Sequence, residues 1–156
     1  MEPRKNLRGL IEAYAAFRSR ETQDVDLVIV GPSGWGESVK PVEGVKLVSG
    51  VTPAEVTAFY RRSFAFVSVP FLEGFGLPVL EAMAQGAPVI ASPVPSAGDA
   101  TYRVDPHNTA AITEAMVRLT KDEALRSDLI ERGKRHADRH TWADTARLHA
   151  HAWMQL

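Results

Sequence analysis

The sequence predicts an α/β domain of the Rossmann-like type, with a mostly parallel sheet that has helices on both faces. Short apolar runs end at glycine or proline, which is typical of strands buried on both faces of a sheet. Amphipathic helical patterns alternate with these runs, and this alternation favours right-handed crossovers between parallel strands. The chain has 156 residues, so residues 1–156 are expected to form one domain.

The apolar runs define five expected strands. In chain order they are Asp26–Val30, Val45–Val48, Phe64–Val69, Pro88–Ala91 and the short Tyr102–Val104. Because each run stops at a turn-forming residue or a polar loop, each is expected to end there.

Helical periodicity and terminal residues define six expected helices. The first carries an apolar stripe at spacings of three and four residues, formed by Leu7, Leu10, Ile11, Tyr14 and Phe17. Asn6, Thr52 and Thr141 are expected to cap the first, second and last helices, and Asp144 suggests a weak capping box. The third helix has Pro78 in its first turn and Gly86 past its end. The later expected ranges are Pro53–Arg62, Leu77–Gln85, Ala110–Thr120, Glu123–Arg139 and a last helix up to Leu156.

The composition excludes several classes of function. Cysteine is absent, which removes disulfides, thiolate metal sites and cysteine nucleophiles. Lys and Arg total 18 and Asp and Glu total 19, a net charge of −1, so no overall basic field favours nucleic acid or anionic lipid. No apolar run has the length of a membrane span, and no signal peptide is recognisable. A cytoplasmic protein that does not bind nucleic acid is therefore expected.

The segment Pro70–Glu81 is the main candidate site, because ligands of open α/β sheets bind beyond the carboxyl ends of the strands. Gly74 and Gly76 allow close approach of the backbone, and the amides that open the next helix favour a diphosphate. Glu73 and Glu81 are separated by seven residues, and their carboxylates suit the paired hydroxyls of a sugar and a ribose. The alternative is that Glu73 is a solvated loop residue and Glu81 only complements the helix dipole.

A second candidate anion site lies at the start of the first helix. Arg4 and Lys5 precede that helix, where a guanidinium fork and an ammonium group suit phosphate. An exposed basic terminus is the alternative. Gly50 and Val51 follow the second strand, where backbone groups can contact the edge of a nucleobase.

Two further patterns are not expected to carry chemistry. The stretch Gly31–Gly36 has neither the dinucleotide spacing nor a P-loop lysine, and Trp35 within it is expected to pack against the core. The five histidines lack the grouping of a metal site, so no metal is expected; they are His107, His136, His140, His149 and His151.

The residues resemble the C-terminal, donor-binding domain of the GT-B retaining glycosyltransferases of family 4, also called group 1. The resemblance covers nearly the whole chain, and its most specific part is the EGFGLP segment with its Glu-x7-Glu spacing. Its segments are Glu2–Asn6, Val30–Gly36, Glu73–Ala84, Pro88–Ser92, Gly98–Ala100, Val104–Pro106 and His140–Trp142.

The resemblance implies a role for each matching residue. Arg4 and Lys5 would hold the donor diphosphate, Glu73 would contact hydroxyls of the transferred sugar, and Glu81 would bind the ribose. Arg4, Lys5 and Glu73 are thus the candidate catalytic residues. The donor would be a UDP-, GDP- or ADP-sugar, with no cofactor or metal. Backbone groups of Gly74, Phe75, Gly76 and Leu77 would surround the sugar and phosphates, and Gly50 and Val51 would lie near the base.

The chain also departs from the family pattern. The family has a strand before the Arg-Lys motif, and several more residues between Ser96 and Gly98. We therefore expect a domain that lacks its first strand and the N-terminal acceptor domain. Membrane association at the inner face is expected only through that missing half. The isolated chain is expected to transfer no sugar. The alternative is a non-catalytic, degenerate sugar-nucleotide module used for packing or partner binding.

Overall fold

The computed structural model describes residues 2–21, 24–31 and 42–155. The strands are β1 (Leu27–Val30), β2 (Val45–Val48), β3 (Phe66–Ser68), β4 (Val89–Ala91) and β5 (Tyr102–Arg103). The helices are α1 (Leu7–Arg18), α2 (Pro53–Arg62), α3 (Leu77–Ala84), α4 (Thr109–Lys121), α5 (Glu123–Ala137) and α6 (Trp142–Trp153). The expected α/β class and the order of elements are confirmed, with ends that differ by a few residues. No helix in these ranges is long and apolar enough to cross a membrane.

All strand pairs in the described ranges are parallel, as expected. They form two ladders: β1 pairs with β2, while β4 lies between β3 and β5. Among the described strands, only β4 is buried at every residue, so burial of all five strands on both faces was a wrong expectation. In β2, Leu47 is 56% exposed. The physical reason is that, within the described residues, β4 alone has a strand on both sides, while β1, β2, β3 and β5 are each paired on one side only.

Helix α1 packs against both ladders. Its buried residues Tyr14 and Phe17 share one core with Ile90 of β4, and partly buried Leu27 of β1 and Val45 of β2 pack against that core. The Tyr14 hydroxyl lies 2.9 Å from the carbonyl oxygen of Val25 and 3.1 Å from that of Gly44, just before β1 and β2. Helix α1 therefore holds the smaller ladder beside the larger one.

Asn6 precedes α1, but its side chain does not cap the helix, which corrects the expectation. Its backbone is left-handed, with φ of 53°. The side-chain amide instead donates to the carbonyl oxygens of Val69, at 3.1 Å, and Pro106, at 2.8 Å. Because Asn tolerates the left-handed region better than most residues, it provides both the backbone bend and a tether to the ends of β3 and β5.

Replacing Asn6 separates these two contributions. Asn6→Ala removes both hydrogen bonds and places a strained residue at positive φ, so we expect a loss of about 3 kcal/mol in the free energy of unfolding. Asn6→Gly keeps the bend and loses only the hydrogen bonds, so we expect a smaller loss, about 1–2 kcal/mol. Urea unfolding curves measure both, and equal losses would show that the left-handed bend is not under strain.

Candidate functional site

The loop after β3 and the N-terminus of α3 form the centre of the candidate site. Gly76 is the N-cap of α3, with φ of 93° and no side-chain cap. Val79 N–H donates to the Gly76 carbonyl oxygen at 2.9 Å, and Pro78 has no N–H, so the free amides are fewer than expected. The amides of Phe75, Gly76 and Leu77 make no hydrogen bond to another described residue. Three successive donors in the described loop are thus unpaired.

The two glycines of this loop differ in what requires them. A Cβ at Gly76 would lie 2.6 Å from the Ser96 hydroxyl oxygen, in addition to the positive φ. A Cβ at Gly74 would meet no atom of residues 2–21, 24–31 and 42–155 within 4 Å, and Gly74 does not have a positive φ. Protein packing and backbone conformation therefore require glycine at 76, while the space beside Gly74 is open.

Arg4, Lys5 and Glu73, all candidate site residues, lie in contact in the structure. Lys5 Nζ lies 2.5 Å from Glu73 Oε2, and Arg4 Nη1 lies 3.5 Å from Glu73 Oε1. Arg4 also pairs with Glu2 at 2.8 Å. A cleft of about 480 Å³ is lined by Arg4, Leu72, Glu73 and Gly74. The site thus combines two cations with the open side of the loop that contains Gly74 and Gly76, called the glycine loop below.

The charge state of Glu73 follows from these contacts. The hydrogen bond from the Lys5 ammonium group is the main cause that lowers the pKa of Glu73, and the Gly74 amide adds to it, while partial burial opposes the shift. Glu73 is therefore a carboxylate at neutral pH. An anionic ligand at Arg4 and Lys5 has to share these cations with Glu73.

Two tethers bring residues from distant parts of the sequence into this site. The Phe71 amide donates to the Arg4 carbonyl oxygen at 2.8 Å, and the Asn6 side chain is bound to Val69 as described above. A 3₁₀ turn, Pro3–Lys5, holds the cations. Its Lys5 amide donates to the Glu2 carbonyl, which stabilises the turn and leaves the Arg4 and Lys5 side chains beside Glu73.

Glu81 lies on α3, where it meets a residue that the sequence analysis did not single out. The Tyr60 hydroxyl on α2 donates to Glu81 Oε2 at 3.2 Å. Burial, and then the charge of Glu81, raise the pKa of Tyr60 well above its usual value, so this hydroxyl remains a donor. The Glu81 side chain is exposed and keeps a free oxygen toward solvent.

Gly50 and Val51 lie at the end of β2, as expected, immediately before the capping box of α2 formed by Thr52 and Glu55. Gly50 has φ of 72°, and a Cβ there would meet no atom within 4 Å. In the described ranges, no hydrogen bond or ion pair joins these two residues to Glu73 or Glu81. The expected glycine-rich stretch from Pro32 to Gly36, with Trp35, lies outside the described residues.

Ser96 supports the glycine loop from behind, and the sequence analysis missed it. It is fully buried in the short turn Pro95–Ala97. Its amide donates to the Phe75 carbonyl at 3.0 Å, and its hydroxyl donates to the Gly76 carbonyl at 2.8 Å. A serine that follows Pro95, in the proline-rich segment after a buried strand, was the available signal.

Comparison with known proteins shows the family of this chain. Residues 1–136 match the family described as "Glycosyl transferases group 1". The chain belongs to the glycosyl transferases group 1 family. It is 34% identical over 154 residues to the O-antigen chain mannosyltransferase B of Escherichia coli, covering 91% of this chain and 40% of that protein. It is 33% identical over 165 residues to a D-inositol 3-phosphate glycosyltransferase of Corynebacterium glutamicum, covering 94% of this chain and 39% of that protein.

A solved structure supports the fold assignment. The C-terminal domain of a glycosyl transferase group 1 family protein from Francisella tularensis superposes with a TM-score of 0.74 at 21% identity, over 89% of this chain and 80% of that one. The resemblance to the C-terminal domain of a GT-B glycosyltransferase is thus confirmed. The chain spans about two fifths of the length of the curated relatives named above.

Substitution of the two glycines by alanine is expected to change the free energy of unfolding by very different amounts. Gly76→Ala should lower the free energy of unfolding by more than about 2 kcal/mol, because it strains the backbone and crowds Ser96. Gly74→Ala should change it by less than about 0.5 kcal/mol, because the space there is open. Thermal and urea unfolding compare them, and a destabilised Gly74→Ala variant would contradict the described loop.

Proposed function

We propose that the chain is the donor-binding domain of a retaining glycosyltransferase that uses a UDP-, GDP- or ADP-sugar. The observation that carries the proposal is the row of unpaired amides at Phe75, Gly76 and Leu77. This row begins two residues after Glu73, whose carboxylate contacts Arg4 and Lys5. Unpaired amides at a helix N-terminus bind phosphate oxygens, and the side-chain cations add charge-assisted hydrogen bonds.

The diphosphate would bind between the cations and the glycine loop. Arg4 and Lys5 are partly exposed, at 45% and 39%, so they can turn toward a ligand without opening the core. The open space beside Gly74 would admit the phosphates or the sugar, since no side chain of the described residues fills it.

Glu73 and Glu81 would bind the two sugar rings of the donor. Glu73 is held by Lys5 and by its hydrogen bond from Gly74 N–H at 3.1 Å, so its free lone pairs are available to hydroxyls of the transferred sugar. Glu81 accepts one hydrogen bond from Tyr60 and can accept others from ribose hydroxyls. A carboxylate offers about four lone-pair sites, so neither residue is saturated by its protein partner.

In the reaction, the bond between the sugar C1 and the diphosphate oxygen breaks as the acceptor oxygen bonds to C1, and the acceptor proton passes to the departing diphosphate oxygen. Negative charge develops on the leaving diphosphate. Arg4, Lys5 and the free amides would stabilise that charge more strongly than they stabilise the bound donor, which is the source of the rate enhancement. Glu73 would orient the transferred sugar through its hydroxyls.

We propose that the acceptor site lies in the part of the protein outside this chain. The chain spans about two fifths of its relatives. The apolar side chains of Phe71, Leu72 and Phe75 are 47%, 70% and 43% exposed beside Glu73. An apolar rim around a charged cleft is typical of a surface that packs against another domain. The isolated chain would then bind donor without transferring sugar.

Calorimetric titration with UDP, GDP and ADP tests donor binding. We expect one of them to bind the 156-residue chain. Glu81→Gln should weaken that ligand about tenfold, because the neutral amide is a poorer acceptor for ribose hydroxyls. An Arg4→Ala, Lys5→Ala double variant should weaken it further, and more so at low salt.

One further variant and one control test whether binding occurs at this site. Gly74→Ala, which leaves the fold intact by the argument above, should weaken the diphosphate by occupying the open space. Arg8→Ala, an exposed residue paired with Glu12 on α1, should leave binding unchanged. Absence of binding for all three nucleotides would favour the non-catalytic module instead.

We also propose that a further parallel strand joins β1 to β3. On β1, the amides of Leu27 and Gly31 donate toward β2, to the carbonyl oxygens of Gly44 and Val48. Because successive amides of a strand point to opposite sides, the amides of Val28 and Val30 point to the other edge of β1. The Phe66 amide donates toward β4, so the Val67 amide points away from it. A right-handed strand–helix–strand unit through α1 would place the additional strand beside β1, where α1 already covers both ladders.

Hydrogen exchange tests this strand. In a longer version of the protein that includes the residues encoded upstream, the amides of Val28, Val30 and Val67 should exchange at least about tenfold more slowly than in the chain alone. The Leu27 amide is the internal control, since β2 already protects it. Unchanged exchange at all three valines would show that no strand joins these edges.

A further inference from the structure

We infer that Tyr60 is a positioning residue that orients Glu81 for the ribose of the donor. This inference rests on the proposed ribose role of Glu81 and extends it to the second helix. The Tyr60 hydroxyl donates to Glu81 Oε2 at 3.2 Å, and the two residues are 21 positions apart on different helices. The hydrogen bond therefore depends on the packing of α2 against α3.

The ring of Tyr60 is fixed independently of this hydrogen bond. It packs edge-to-face against Phe66 of β3, with ring centroids 5.3 Å apart and an interplanar angle of 87°. It also packs against the apolar cluster below α3 that contains Val79, Met83 and Val89. A hydroxyl on a ring held in this way has a defined position, so it limits the rotamers that the exposed Glu81 side chain adopts.

Orientation matters because Glu81 is a flexible side chain on an exposed helix surface. A ribose offers two neighbouring hydroxyls as donors, and a carboxylate held in one orientation accepts from both without first losing rotamer freedom. Tyr60 occupies only one lone pair of Oε2, so Oε1 remains available. The hydroxyl of Tyr60 stays protonated at neutral pH, since burial disfavours its anion, and it therefore acts as a donor throughout.

A second contact between α2 and α3 allows the role of the Tyr60 hydroxyl to be tested without loss of the helix packing. Arg61, the next residue on α2, donates to the Gln85 side-chain oxygen at 2.7 Å. This second bridge also joins α2 to α3, so loss of the Tyr60 hydroxyl alone leaves the two helices connected and the Tyr60 ring in place.

The experiment compares Tyr60→Phe with the unmodified chain by calorimetry. The ligands are UDP, GDP and ADP, each with its 2′,3′-dideoxy form. The ratio of ribonucleotide to dideoxynucleotide affinity measures recognition of the ribose hydroxyls. We expect Tyr60→Phe to reduce this ratio about fivefold and to leave dideoxynucleotide affinity unchanged. Tyr102→Phe is the matched control, because the Tyr102 hydroxyl makes no hydrogen bond to another described residue.

The outcomes distinguish this inference from the function on which it rests. If Glu81→Gln reduces the ratio and Tyr60→Phe does not, Glu81 binds ribose and the role of Tyr60 is wrong. If Tyr60→Phe weakens both nucleotide forms equally, Tyr60 is only structural and the inference is also wrong. If neither variant changes the ratio, the ribose role of Glu81 fails, and the inference fails with it. A Tyr60→Phe, Glu81→Gln double variant should lose no more than Glu81→Gln alone.

Discussion

The Asn6 side chain ties the cationic turn to the carboxyl end of the sheet, and the geometry of the site depends on that tether. Its amide reaches the backbone at Val69 and at Pro106, 63 and 100 residues along the chain. The amide of Phe71 adds a backbone hydrogen bond to Arg4. Long cationic side chains lose rotamer freedom when they bind an anion. Because the backbone beneath these side chains is already fixed, binding an anion costs conformational entropy only in the side chains. A rigid scaffold favours binding in this way.

The glycine loop is held on one side and open on the other. Ser96 donates to its carbonyl groups at Phe75 and Gly76, and the His136 ring lies 3.0 Å from the Ser96 carbonyl oxygen. At Gly98, φ is 50° and a Cβ would lie 2.4 Å from His136 Cε1, so the ring packs directly on the turn. Hydrogen bonds that hold the carbonyl groups inward leave the amides of the same peptides directed outward. The short turn between Ser96 and Gly98, which departs from the family pattern, thereby supports the loop from α5.

The charges of the site balance one another before any ligand is present. Lys5 and Arg4 are both paired with carboxylates, and Glu73 is only 17% exposed. Ion pairs at a protein surface contribute little net stability, because solvent screens them and side-chain entropy opposes them. A diphosphate with two or more charges can therefore displace the partly exposed Glu2 from Arg4 at small cost. The pairing keeps the cations near the loop, and it prevents a concentration of unpaired positive charge.

Local sequence patterns were sufficient to place most of the elements and the loop. Pro78 and Gly86 bracket α3, Thr52 caps α2, and the Glu-x7-Glu segment lies between a strand and a helix, because capping, turn chemistry and periodicity are properties of a few neighbouring residues. Tertiary packing decided which side chains meet. The tether by Asn6, the bond from Tyr60 to Glu81 and the support by Ser96 each join residues at least 20 positions apart. Their contacts depend on how helices and strands stack, and the spacing of residues along a chain does not encode that geometry.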